Sequence, residues 1–254
     1  MSANQGPGVL APGLFTRYSG ASGIRPSPEF HHALDLHLIE GSPVLRQRQS
    51  DTIPRPVTHH DNLASVPVGP LYLIANEFFD ALPVRQFQRA GPGWRERVVG
   101  LGGGQFAVGL SDLTEPPFLD GRLDDTHEGD IVEYNPAGVS ITAEIGRRIA
   151  AEGGVALIID YGDWHSLGDT LQAVRQHEKA SPFEMPGTAD LTAHVDFEAL
   201  AQASAPAITS RLTPQGAFLE RLGITPRAQA LAASLSGAAL DAHIAGHRRL
   251  THPD

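Results

Sequence analysis

The chain has no cysteine, so it carries no disulfide framework, no thiolate nucleophile and no cysteine-ligated zinc. It is also poor in positive charge: 19 Lys and Arg stand against 29 Asp and Glu, a formal charge of -10. Such a field repels a phosphate backbone and speaks against general nucleic-acid binding, while it favours a cationic ligand or partner. No apolar run approaches the roughly 20 residues of a membrane span, and "MSANQGPGVLAPG" has neither a basic n-region with an apolar core nor an Arg-rich presequence. The expectation is a soluble chain with no visible address, cytoplasmic by default. A G-x-S-x-G elbow and a Walker loop are missing, which counts against the common serine hydrolases and P-loop enzymes. Of twelve histidines, His31-His32 and His59-His60 are adjacent pairs that cannot both face one ion from a strand, and no H-E-x-x-H is present. Most histidines read as surface, and no metal is expected.

What is present is an α/β pattern. At 254 residues and 41% hydrophobic content the chain is near the upper size of one domain. Residues Met1 to Glu29 are rich in Gly, Pro and Ser and read as an irregular segment; residues 30–254 read as one domain. "ALDLHLIE" (Ala33 to Glu40), "LYLIA" (Leu71 to Ala75) and "VALIIDYG" (Val155 to Gly162) are short apolar runs, the last two nearly continuous, as in strands covered on both faces. Helical patterns lie between them. Ser42 and Pro43 open "SPVLRQRQ", and Ile141, Ile145 and Ile149 recur every four residues before a stop at Gly153 and Gly154. This alternation predicts a mostly parallel, doubly wound sheet. From about 84 to 128 the pattern changes to alternating side chains broken by Gly-Pro-Gly and Gly-Gly-Gly, which predicts inserted antiparallel hairpins. Downstream, Asp196 and Pro214 are helix openers, and "PRAQALAASLSGAALDAHIAGHRRL" is expected as one long terminal helix.

Each apolar strand leads into a carboxylate: Glu40, Glu77 and Asp160. In open parallel sheets the ligand crevice lies beyond the carboxyl ends of the strands, so these positions are where chemistry should gather. Glu40, at the end of a strand that turns into a helix, suits the two hydroxyls of a cofactor ribose. The glycine loop that should precede it is reduced to Gly6-Pro7-Gly8. The literal G-x-G-x-G at Gly100 to Gly104 is followed by a strand pattern instead of a helix, so it reads as a hairpin turn. In "ANEFFDALPVRQF", Asn76, Glu77 and Asp80 surround Phe78 and Phe79. Buried carboxylates need partners, so this text suggests an aromatic pocket for a cationic ligand, the alternative being core phenylalanines and a solvated rim. In "DLTAHVDF", Asp190, His194 and Asp196 form either part of a site or, for Asp196, a helix cap.

Five segments in order, "ANEFFDALPVRQF", "GWRERVVGL", "IIDYG", "GDTLQAVRQHEKASPFEMPGTADLTAHVDFEAL" and "QGAFLERLGI", resemble the MidA and NDUFAF7 family of class I S-adenosylmethionine-dependent methyltransferases from about Phe30 onward. The resemblance implies a seven-stranded Rossmann-like sheet with inserted elements, S-adenosylmethionine as cofactor, and a protein arginine as substrate, linked in the mitochondrial member to respiratory complex I assembly. It implies the cofactor near Glu40, Gly6, Gly8, Ala75 and Asn76. Glu77 and Asp80, with Asn76, are the expected catalytic residues, facing the guanidinium or the cofactor amino group. Phe78 and Phe79 are expected to line the pocket, and Asp160, Tyr161, Asp190, His194 and Asp196 to border the substrate channel. The family's first strand and glycine loop should stand where this chain has "QGPGVLAPGLFTRYSGASG", and its Met-Gly-x-Leu-Phe-Lys type ending should follow "RRLTHPD". The expectation is therefore a chain truncated at both ends, with a non-catalytic assembly or binding factor, or an inactive fragment, as the alternative to an enzyme.

Overall fold

The computed structural model describes residues 33–252; the Met1 to Glu29 segment, with Gly6 and Gly8, lies outside the described residues. The fold is α/β and divides into two compact units. The described part of the first is Ile39–Pro43 and His60–Thr209; that of the second is residues 33–38, Val44–His59 and residues 210–252.

In the first unit β3 (Leu71–Asn76) and β8 (Gly154–Ile159) pair in parallel, in register from Leu71 opposite Gly154 to Asn76 opposite Ile159. The second and third apolar runs are therefore neighbours. Between them runs a helix, α2 (Pro136–Glu152), started by Asn135, whose Oδ1 accepts the Gly138 N–H at 2.7 Å, and by Pro136 in the first turn. Its four-residue isoleucine spacing puts one apolar stripe on the core: Ile145 is buried with Phe79, Val195 and Leu200, while Ile141 and Ile149 pack beside them. Full burial of a side chain such as Ile145 contributes about 1.5–3 kcal/mol. The first apolar run differs. It forms a short β1 (His37–Ile39) that pairs with β2 (Thr58–His60) in a two-stranded sheet of its own, with α1 (Pro43–Thr52) between them.

The alternating region is antiparallel, with the order β6-β5-β4-β7. Its strands are β4 (Arg85–Ala90), β5 (Gly93–Gly102), β6 (Gln105–Thr114) and β7 (Ile131–Tyr134). Gly103 and Gly104, at φ +60° and +83°, make the two-residue turn between β5 and β6, since only glycine takes both angles without steric cost. The glycine run is thus a hairpin turn, as its following strand pattern predicts. Phe87, Trp94, Leu119 and Val132 form a separate small core under this sheet.

The rest of the unit consists of short strands and one helix. A three-stranded sheet has the order β11-β10-β12, from β10 (Gln172–Arg175), β11 (Glu178–Ala180) and β12 (Asp190–Thr192). β9 (Gly162–Asp163) and β13 (Val195–Asp196) pair in parallel just before α3 (Phe197–Ala203).

In the second unit the expected long terminal helix is two helices. After α4 (Gln215–Arg221), which follows Pro214 as expected, come α5 (Ile224–Ala232) and α6 (Gly237–Thr251). The break spans residues 233–236, ending at Ser236, which is extended, before α6 opens on Gly237 at φ +54°. Serine favours caps over helix interiors and glycine tolerates the left-handed region, so local chemistry outweighs the apolar periodicity. Gly246, inside α6, does not interrupt it.

Candidate active site

The parallel pair delivers its ends to one place. At the end of β3 the Glu77 N–H still donates to Ile159 O at 2.9 Å, and the chain then reverses with Glu77 at φ +48°. A non-glycine residue there costs of order 1 kcal/mol and persists only when neighbours hold it. Asp160, one residue beyond β8, is that neighbour. Its Oδ2 accepts the N–H groups of Phe78 at 3.1 Å, Phe79 at 2.9 Å and Asp80 at 3.3 Å, and its Oδ1 accepts that of Tyr161 at 3.0 Å. Asn135 grips the same turn from α2 by donating Nδ2 to Phe79 O at 3.1 Å. The 193–195 loop joins through Ala193 N–H to Asp80 O at 2.9 Å and Val195 N–H to Tyr161 O at 2.8 Å.

The structure thus brings Asn76, Glu77, Phe78, Phe79, Asp80, Asp160 and Tyr161 together around one turn. Their environments differ. The Glu77 side chain is exposed, whereas Asp80 is 7% exposed. Burial, then the charge of Asp160, then that of Glu77, push the Asp80 carboxyl up to about 6. Burial also raises Asp160, opposed by the backbone N–H groups that it accepts. Phe78 and Phe79 meet edge to face, with ring centroids 5.1 Å apart. Phe79 is 1% exposed within the core cluster, so it supports the turn from below, whereas Phe78 is partly exposed. Tyr161 points to solvent.

The three residues singled out in "DLTAHVDF" have different surroundings. Asp190 is exposed in β12, opposite Val174, and His194 is exposed, with its backbone N–H on Thr170 Oγ1 at 2.8 Å. Asp196 caps α3, taking the Ala199 N–H on Oδ1 at 2.9 Å and the Ser166 N–H on Oδ2 at 3.0 Å, with Arg122 Nη1 3.5 Å away. Its capping alternative is the one realised.

Glu40 is 1% exposed at the end of β1. Its Oε1 accepts the Ser42 N–H at 2.8 Å, and its own N–H donates to His60 O at 3.2 Å. His60, expected at the surface, is 9% exposed, with Nδ1 3.0 Å from Ser65 Oγ. A side chain that finds a hydroxyl partner can be buried at little cost, which overrides the average preference of histidine for the surface.

Two contributors were not legible beforehand. Asn135 reads from sequence only as a helix start, and its grip on Phe79 O spans 56 positions. Glu133, buried in β7, accepts Gln86 Nε2 at 2.7 Å and the Thr170 N–H at 3.1 Å, and also bonds Thr170 Oγ1; it ties the antiparallel sheet to the loop before β10, whose Thr170 Oγ1 in turn accepts the His194 N–H.

Residues 22–214, more than half of the chain, match the family described as "Putative S-adenosyl-L-methionine-dependent methyltransferase". The mitochondrial protein arginine methyltransferase NDUFAF7 of Xenopus tropicalis is 33% identical over 231 residues, which are 87% of this chain and 52% of that protein. The Homo sapiens protein of the same name is 36% identical over 183 residues, 69% of this chain and 40% of the relative. This chain spans about half the length of the curated relatives it matches. A crystal structure from Burkholderia thailandensis, described as a "likely methyl transferase" and bound to S-adenosyl-homocysteine, has a TM-score of 0.66 at 26% identity, over 85% of this chain and 60% of that one. With the acidic turn at the carboxyl ends of a parallel strand pair in place, the family follows: this chain belongs to the MidA and NDUFAF7 family of S-adenosylmethionine-dependent methyltransferases.

Proposed function

We propose that the protein transfers a methyl group from S-adenosylmethionine to an arginine of a protein substrate at the carboxyl edge of β3 and β8. The observation that carries this reading is the pair of carboxylates, exposed Glu77 and buried Asp80, on a hydrogen-bonded turn beside partly exposed Phe78. Carboxylates match the planar guanidinium, accepting its N–H groups and holding one nitrogen in line for attack. Asp80 is the group able to take up a proton near neutral pH, since its carboxyl lies at about 6.

The donor set fits the cofactor. In this reading Glu40, a buried carboxylate at a strand end, takes the two ribose hydroxyls, and Asn76 and Ala75 at the end of β3 border the cofactor. Gly6 and Gly8 lie outside the described residues. When bound, S-adenosylmethionine supplies an electrophilic methyl on a sulfonium. The protein's part is to align the nucleophile, exclude water and accommodate one proton. In this reading the two parallel strands belong to a seven-stranded Rossmann-like sheet. The substrate is a protein linked to complex I assembly, the arginine methyltransferase name of the NDUFAF7 relatives supporting the reaction type. The place of action is the cytoplasm of a bacterium, or the mitochondrion in a eukaryote.

Calorimetry with S-adenosyl-homocysteine tests the reading. Micromolar binding is expected, and Glu40→Gln should weaken it by about ten-fold. A folded chain that binds none would sink the enzyme reading in favour of a non-catalytic assembly or binding factor. Glu77→Gln with Asp80→Asn should abolish arginine methylation while leaving cofactor binding within about two-fold.

A further inference from the structure

We infer that Asp160 and Asn135 are positioning residues, a two-point clamp that fixes the 77–80 turn and so sets where Glu77 and Asp80 meet a cationic side chain. The inference rests on the proposed function for the identity of that cation, but the clamp itself stands on geometry. Asp160 Oδ2 gathers three successive backbone N–H groups, and Asn135 Nδ2 holds the carbonyl of the middle one of those residues. The turn is therefore gripped on its N–H side from β8 and on its C=O side from α2. Sequence makes neither grip visible, since the partners lie 80 to 82 and 56 positions apart.

Such a grip has a specific use here. Without it, Glu77 at φ +48° would relax to a commoner backbone angle and swing its exposed carboxylate away from Asp80. A carboxylate suits the clamp because it can accept several N–H groups at once and offers no donor to compete. Asparagine at 160 would set its NH2 against either the three turn amides or the Tyr161 N–H. At 135 the requirement is the reverse: Oδ1 caps α2 while Nδ2 must donate, so aspartate there would keep the cap and lose the grip. The two sites thus need opposite members of the Asp/Asn pair.

The test compares Asp160→Asn and Asn135→Asp with wild type in the full chain, by amide hydrogen exchange and by binding of a glycine-flanked arginine peptide and of S-adenosyl-homocysteine. Exchange at Phe78, Phe79 and Asp80 should rise by about ten-fold in each variant, while Leu73 and Ala75 in the β3–β8 ladder stay within about two-fold. Peptide affinity should fall by about five-fold with S-adenosyl-homocysteine affinity unchanged. Unchanged exchange at 78–80, an equal rise along the whole β3–β8 ladder, or unchanged peptide affinity over a loosened turn would each overturn the clamp. Asn135→Asp retains the helix cap, so it decides the matter if Asp160→Asn fails to fold. A wild-type chain that binds neither probe refutes the methyltransferase reading and the clamp's role toward a cation, while the exchange data still judge the grip on the turn.

Discussion

At Asp80, burial and the neighbouring charges of Asp160 and Glu77 act in the same direction. Its folded carboxyl lies at about 6, above the ordinary carboxylate range, so the native state holds more protons than the unfolded chain between that range and about 6. Stability conferred by the protonated form is present at low pH and is lost as pH rises through about 6. Asp80→Asn removes that loss. The variant should gain roughly 1 kcal/mol over wild type on going from pH 5 to pH 7.5, a figure discounted because Glu77 beside it is in solvent, read as the difference in urea midpoints. The same ionisation should act oppositely on ligand: the arginine peptide binds more tightly above about pH 6 than below it, and Asp80→Asn flattens that profile. A parallel profile in the variant would assign the titration elsewhere.

At the scale of elements, α2 is bolted to the segment before β3 by one side chain. Arg148, 6% exposed, donates Nη1 to Val66 O at 2.9 Å and Nε to Glu144 Oε1 at 2.7 Å. Arg148→Ala strands a buried carbonyl and should cost about 2–3 kcal/mol in chemical denaturation. The β9–β13 pair is set by close approach. A Cβ built on Gly162 would lie 2.1 Å from Val195 O, so Gly162→Ala cannot keep that ladder and should destabilise the fold by about 1–3 kcal/mol, with faster exchange at the Val195 amide. Loss confined to thermal stability without altered exchange there would mean that the strain is relieved elsewhere.

For the whole molecule the dominant quantity is charge. With a formal charge of -10, encounter with a cationic peptide is steered, and salt screens it. Affinity for the arginine peptide should fall several-fold between about 50 and about 500 mM NaCl, mostly through a slower association rate, whereas S-adenosyl-homocysteine affinity should barely change. An equal salt response of the two ligands would contradict a charge-steered substrate. Among the described residues no helix is long and apolar enough to cross a membrane. The sequence by itself determined the α/β class, the adjacency of an acidic-aromatic turn to a buried strand, the hairpin nature of Gly100 to Gly104 and the family, because each is written in local periodicity or in contiguous text. It did not determine that the terminal apolar pattern breaks before Gly237, that Asp196 caps a helix, that Phe79 is core, or that Asp160 accepts the amides of the 78–80 turn. Those outcomes depend on which backbone groups need partners once the strands are side by side. Only the tertiary structure decided them, because a buried N–H takes the acceptor that folding brings near, at whatever separation along the chain.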